Sequence, residues 1–468
     1  MSTLESSGEF CQIIFKNGPR KLWLATLTPS SELVMMTAVM RKLLTGFLLS
    51  LFAVNGFGAD KRILFRWRTC PPIAGQVPLQ NGSFTGIFAD EPPRRGIENA
   101  AALQNFFRAL ADTRSGQRLE PVRIMHFGDS HVAADVLTAA IRHRFQQDFG
   151  DGGAGFIVPK NPMTTRRPGV TTGATSGWVI EGIGGRVEPD RIYGPAGIAL
   201  SANQRDERAW VEAAGNHFEL YYVRQPGGGR VDVLLDGASV LDSPLSLLSP
   251  ALEAAHLFFD SPANARHRIE IRTLSSGKVR ILGIVAERIA PGVVYDVLGV
   301  NGARASRILG WNQPALAEVL AARKPDLIVL EYGTNEITDA GWTPTSYQRL
   351  LAGILRRLHE AAPQASLLLI GPPDRSDLAI AADKMSSMIV AQRRAANAAG
   401  AAFWSSYDAM GGAEAMNVWT GQGLGQADHV HLTRAGYNRL ADYFYQDLTL
   451  AFGNAAPNRR RNPTLDRP

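Results

Sequence analysis

Cysteine is almost missing: Cys11 and Cys70 are the two in 468 residues. Two thiols cannot build a disulfide-stapled scaffold, so the fold has to rest on a hydrophobic core. A concentrated basic stripe is missing too. The net charge is +6, and part of it sits in Arg459-Arg460-Arg461, a solvated tail. That pattern argues against a nucleic-acid partner. The apolar stretch Leu43 to Val54 is too short for a comfortable membrane span.

What that stretch has is the order of a secretory signal. Basic Met40-Arg41-Lys42 precedes it and small residues, Asn55-Gly56-Phe57-Gly58-Ala59, follow it. Because 39 residues precede Met40, the expected start is Met40 or a nearby methionine. Residues 1–59 are then an upstream extension plus signal peptide; the rival is an uncleaved anchor. Cleavage near Ala59 leaves Cys70 alone and no integral membrane span, and puts the chain in a bacterial periplasm or outside the cell.

The 45% hydrophobic content is that of a globular chain long enough for two or three domains. Residues 60–115 hold Pro/Gly-rich material and then a helix, Ile97 to Ala111, with apolar residues at helical spacing. Val122 to Phe127 reads as a buried strand, and Val132 to Phe149 as a helix that stops at Gly150-Asp151-Gly152-Gly153. The texture changes over 166–290. Phe218–Val223 and Arg230–Leu235 flank Gly227-Gly228-Gly229, a hairpin signal, and Arg268–Arg272 and Val279–Val285 are further strands. A module of this kind fits an all-β sandwich. Past Pro291, buried strands Asp326–Leu330 and Ser366–Ile370 alternate with helices at Tyr347–Ala361 and Met385–Ala399. Strand-helix alternation on both sides of the β module predicts one α/β domain, 116–165 and 291–452, interrupted by an insertion, and then a disordered tail at 453–468.

Gly128-Asp129-Ser130 follows a strand and opens a helix, where backbone N–H groups favour developing negative charge. A serine hydroxyl needs a base to take its proton and a third group to orient that base. Asp428-His429-Val430-His431 supplies a carboxylate and an imidazole. Val300-Asn301-Gly302-Ala303 and Glu331-Tyr332-Gly333-Thr334-Asn335-Glu336 each follow a strand, so all these blocks should converge outside the carboxyl ends of one sheet. There the N–H groups of Ser130 and Gly302 and the amide of Asn335 can face an oxyanion. Gly299 competes with Gly302, and His131 is a candidate substrate contact. Asp428-His429-Val430-His431 also has the look of a metal cluster, but no partner motif appears elsewhere, so neither a metal nor another cofactor is expected.

These blocks resemble the SGNH (GDSL-type) hydrolase superfamily, with Ser130, Gly302, Asn335 and His431 as its namesake residues and Asp428-x-x-His431 as its Asp-x-x-His block. The resemblance implies an α/β fold: a flavodoxin-like, three-layer parallel-sheet domain interrupted by the β-sandwich insertion. It implies Ser130 as nucleophile, His431 as base, Asp428 as its orienter, and Ser130, Gly302 and Asn335 as the oxyanion hole. His126-Phe127-Gly128-Asp129-Ser130-His131 and Phe149-Gly150-Asp151-Gly152-Gly153-Ala154-Gly155-Phe156 resemble bacterial periplasmic peptidoglycan O-acetylesterases, whose insertion is carbohydrate-binding-module-like. That implies an acetylated glycan substrate and removal of acetyl from the muramoyl C6 hydroxyl. An O-acetyltransferase using the same site and a non-catalytic glycan-binding protein are the alternatives. Trp178, Tyr193, Trp210, Tyr221 and Tyr222 are candidates for sugar stacking or for core packing.

Overall fold

The computed structural model describes residues 10–13, 22–25, 96–160, 167–378 and 381–455. The expected signal stretch, Cys70 and the basic tail lie outside the described residues. The chain forms two units, residues 1–87 and 88–468. In the first, β1 (Phe10–Ile13) pairs antiparallel with β2 (Leu22–Ala25).

The second unit opens with a 3-10 turn, Ala100–Leu103, and α1 (Gln104–Arg114), which buries Phe106, Phe107 and Leu110. Next come β3 (Val122–Gly128), α2 (Ser130–Ala133) and α3 (Leu137–Phe149). The single helix expected over Val132–Phe149 is therefore broken, and Asp135 is the cause. It sits at φ +45, a left-handed conformation that aspartate tolerates. Its carboxylate accepts from Thr138 Oγ1 at 2.7 Å and from both terminal nitrogens of Arg142 at 2.9 and 3.1 Å, which anchors the restart.

Ten strands follow before the chain returns to the first sheet: β4 (Gly153–Ile157), β5 (Thr171–Ala174), β6 (Val179–Gly182), β7 (Ile198–Ala202), β8 (Arg208–Arg224), β9 (Arg230–Leu235), β10 (Ala238–Ser239), β11 (Leu245–Ser246), β12 (Glu253–Thr273) and β13 (Val279–Glu287). They form one antiparallel sheet ordered β10-β9-β12-β8-β13-β7-β6, with β11 on β9, β4 on β13 and β5 on β8. This sheet starts earlier than the change of texture at residue 166, because β4 already pairs with β13. The hairpin expected across Gly227-Gly228-Gly229 does not form: β12 lies between β8 and β9 and pairs with both. The glycine turn is pinned elsewhere. Gly229 N donates to Lys278 O at 3.0 Å and Lys278 N to Gly227 O at 3.1 Å, while Gln225 N donates to Leu247 O. Trp178, Tyr193, Tyr221 and Tyr222 are buried core residues; Trp210 is half-buried under the Arg268 guanidinium, 4.4 Å from its ring centre.

The parallel sheet is completed by β14 (Val293–Gly299), β15 (Leu327–Glu331), β16 (Ser366–Gly371) and β17 (Ala402–Ser405), in the order β14-β3-β15-β16-β17. Numbered along the chain, that is 2-1-3-4-5, the flavodoxin-like order, with its switch point between β3 and β15. Every residue of β3, β15 and β16 is buried, because helices cover both faces. Val122, Ile124 and Tyr295 pack with α1, α3 and the helix Arg434–Ala455 on one side. On the other, Met125, Phe127 and Ile328 share one core with the helices Gln313–Arg323 and Pro344–Ala361 and with the antiparallel sheet.

A buried ion cluster ties the two sheets together. Arg323, with no exposed surface, reaches Asp296 of β14 at 2.9 Å and Glu287 of β13 at 2.7 Å, and Glu287 also takes Arg123 of β3 at 2.9 Å. Burial works against the Arg323 charge, but Asp296 and Glu287 outweigh it and hold its pKa above the usual value. Removing one member strands the others without a partner, so Arg323→Ala should cost about 3–5 kcal/mol in denaturant unfolding. A loss below about 1 kcal/mol would contradict that.

Candidate active site

Strand register decides what meets at the switch point. Gly299, Gly128 and Glu331 lie side by side across β14, β3 and β15. Ser130, Gly302 and Asn335 therefore leave the same edge of the sheet within a few residues of their strand ends. The crossing of α2 over this edge demands glycine. A Cβ on Gly299 would stand 2.2 Å from Ala133 N, and one on Gly128 2.2 Å from a Val132 methyl. Gly299 is thus a packing glycine. Gly302 lies in an exposed turn at φ +68 with open space where a Cβ would be.

From late in the chain, just before the helix Arg434–Ala455, the Asp428–His431 loop closes on this edge. Ser130 Oγ is 2.8 Å from His431 Nε2, and His431 Nδ1 is 2.7 Å from Asp428 Oδ2. With the ring hydrogen on Nδ1 the chain runs one way: Ser130 donates to His431, and His431 donates to Asp428. Asp428 Oδ1 also accepts the backbone N–H of Val430 and of His431, each at 3.0 Å. Partial burial pushes this carboxyl up, but those N–H groups and the His431 ring outweigh it and hold it down at about 2. It is ionised across the physiological range.

Asn335 Nδ2 donates to Ala303 O at 3.0 Å, which ties the Asn335 loop to the Gly302 loop and leaves one amide hydrogen for the cleft. Two groups outside the expected set complete this frame. Buried Glu336 accepts from Ala305 N at 2.8 Å and Gly333 N at 3.1 Å, bracing the same two loops, and burial raises its pKa. Arg375, past β16, donates to Thr334 O and, through Nε, to Asp377 at 2.7 Å, while Ser376 N donates to His429 O at 3.0 Å. Glu336 stands next to Asn335 in the sequence, a readable hint; nothing local marks Arg375.

His131 is placed differently from the expectation. It is 1% exposed, so it cannot touch a glycan. Its Nδ1 is 2.9 Å from Tyr437 OH, and its ring lies 5.2 Å from that of His431, forming the wall behind the imidazole. Burial, helped by His431, lowers its pKa to about 3. Between pH 6.5 and 3 the unfolded state therefore binds a proton at this residue and the folded state does not, so stability falls as pH drops through that window. At pH 5 the loss is about 2 kcal/mol. His131→Phe should lose that much less between pH 7.5 and pH 5 in urea unfolding; equal losses would contradict the assignment.

A second set of the same residue types sits on the antiparallel sheet, with Ser261 Oγ 3.3 Å from His267 Nε2 and His267 Nδ1 2.7 Å from Asp236. It cannot act as a base. His267 Nε2 donates to Ala263 O at 2.9 Å, so both ring nitrogens carry hydrogen; these bonds outweigh burial and raise its pKa. Among the described residues no group of three or more His, Cys, Asp or Glu is placed to hold a metal.

A 2-1-3-4-5 parallel sheet with a serine, an imidazole and an amide converging at its switch point is the SGNH hydrolase fold. Residues 275–439 match the GDSL-like Lipase/Acylhydrolase family; with the fold, that match makes the chain a carboxylic ester hydrolase. Gly302, Asn335, Asp428 and His431 fall inside the matched segment; Ser130 lies before it, separated by the antiparallel strands. A solved peptidoglycan O-acetylesterase shares the fold at TM-score 0.64 and 23% identity, over 76% of this chain and 99% of that one. Weaker likenesses are a lipase/acylhydrolase from Enterococcus faecalis (TM-score 0.28, 20% identity, 35% of this chain and 77% of that one) and a family two carbohydrate esterase from Cellvibrio japonicus (0.26, 14%, 61% and 98%). No curated protein matches the chain.

Proposed function

We propose that the protein is a serine esterase that removes O-acetyl groups from peptidoglycan, at the muramoyl C6 hydroxyl, or from a related acetylated polysaccharide, outside the cytoplasm. The observation that carries this reading is the unbroken hydrogen-bond chain Ser130–His431–Asp428 at the switch point. Ser130 Oγ attacks the acetyl carbonyl as His431 Nε2 takes its proton, and Asp428 holds the imidazole. The N–H groups of Ser130 and Gly302 and the amide of Asn335 are the oxyanion donors. His431 then protonates the departing sugar oxygen. Water adds to the acetyl-serine, its proton going to His431, and acetate leaves as Ser130 regains its hydrogen.

The glycan part of the reading draws support from the fold shared with a peptidoglycan O-acetylesterase along nearly its whole length. The antiparallel region, 166–290 by sequence texture, is on this reading a glycan-binding module. The test is acetate release from O-acetylated peptidoglycan by the purified protein beside Ser130→Ala. Serine-dependent release is expected. Release that appears only as transfer to an added sugar acceptor would make the protein an acetyltransferase, and cleavage of aryl acetate without glycan release would move the substrate elsewhere.

A further inference from the structure

Three residues past Ser130 the chain enters the wall of a cavity of about 490 Å³ that the chemistry above does not use. It runs between the strand ends of the parallel sheet and the antiparallel sheet. Ala133 and Asp135, just past Ser130, form one wall, and Leu298 and Gly299, just before Gly302, form another. Phe156 and Ile198 line the opposite side, and the volume is in the range of small-ligand sites.

The lining is polar and apolar in nearly equal measure, and two of its members are charged, Asp135 and Arg167. Asp135 is already satisfied by Thr138 and by both terminal nitrogens of Arg142. Arg167 is not. One terminal nitrogen donates to Ala154 O, and it forms no ion pair with a described carboxylate. The carboxylates that attract it from farther off are engaged: Asp296 holds Phe156 N at 2.8 Å and Arg323 at 2.9 Å, and Asp151 holds Arg288 at 3.1 Å. Burial, and then Arg142, depress the Arg167 pKa to about 10 against the pull of Asp135, Asp296 and Asp151, so the half-buried guanidinium is charged at neutral pH. A cation with spare donors on the wall of a hollow of mixed polarity matches an organic carboxylate.

We propose that this cavity is a substrate subsite in which Arg167 binds a carboxylate carried by the acetylated glycan. The proposal rests on the acetylated-glycan reading and narrows it to an acidic one. On a muramoyl sugar that carboxylate can come from the lactyl ether or from an attached peptide stem. The two share one chemistry, and substrates with and without stems separate them.

The experiment compares wild type with Arg167→Gln on three substrates: O-acetylated peptidoglycan with its stems, the same strands stripped of peptide to free the lactyl carboxylate, and a neutral aryl acetate. KM for the acidic glycan should rise about tenfold or more in the variant, with kcat within about twofold and the aryl acetate unaffected. A rise on stripped strands assigns the lactyl group; a rise confined to intact strands assigns the stem. An unchanged KM on both glycans, or an equal change on the aryl acetate, overturns the subsite. If Arg167→Gln does not fold, equilibrium binding to wild type decides. N-acetylmuramic acid should bind about tenfold tighter than neutral N-acetylglucosamine, and equal affinity overturns the proposal. Wild type that releases no acetate from either glycan removes the glycan reading itself, whereas release with an unshifted KM removes the subsite alone.

Discussion

Ser130→Ala should lower kcat on a small aryl acetate by roughly four to six orders of magnitude, while leaving the unfolding transition in place. The prediction follows from the geometry. Ser130 Oγ stands 2.8 Å from His431 Nε2, and within the described residues no other serine has an imidazole partner whose accepting nitrogen is free to take its proton. His431→Ala should lose a similar amount, and the double variant little more, because on the proposed mechanism nucleophile and base act as one unit. Steady-state kinetics on the three proteins, each checked for a native unfolding transition, decide the matter. Losses that add in the double variant would mean that the two residues act separately. Activity within tenfold of wild type in either single variant would remove Ser130 or His431 from the chemistry.

The second large effect falls on Asn335. Its amide is held by the bond to Ala303 O, and its loop is braced by Glu336 and Arg375, so the remaining N–H is fixed before substrate arrives. A donor organised in advance acts on the charge that develops in the transition state and much less on the neutral ester. Asn335→Ala should therefore cut kcat about a hundred- to thousandfold and change KM by less than about threefold. A loss expressed in KM with kcat intact would make Asn335 a ground-state contact. The same measurement on Glu336→Gln is expected to give a smaller kcat loss, since that side chain braces the loops and meets no reacting atom.

Much of the site could be read along the chain because its parts follow strands buried on both faces. Buried strands such as Leu327–Leu330 and Val122–Phe127 mark their own ends, and the polar blocks after them must share one sheet edge. What could not be read was anything set by non-local pairing. The glycine turn at Gly227–Gly229 looks like a hairpin locally, yet β12, contributed from later in the chain, takes the place between its two strands. The helix break at Asp135 depends on Arg142 reaching back to a carboxylate seven residues earlier, which periodicity does not report. His131 follows Ser130, and that position says nothing about which way it faces. Tyr437, 306 residues away, is the partner that accounts for its burial. Arg375 and Arg167 act through loops brought together by the fold, and no spacing rule connects them to Ser130.

The most direct test of the account is covalent. A fluorophosphonate loses fluoride to a serine whose proton is taken by a neighbouring base, and the modified residue can be located by peptide mass. The account predicts stoichiometric labelling on the peptide that contains Ser130, and none in His431→Ala. Active protein that labels at another serine, or that labels at Ser130 equally well without His431, would contradict it.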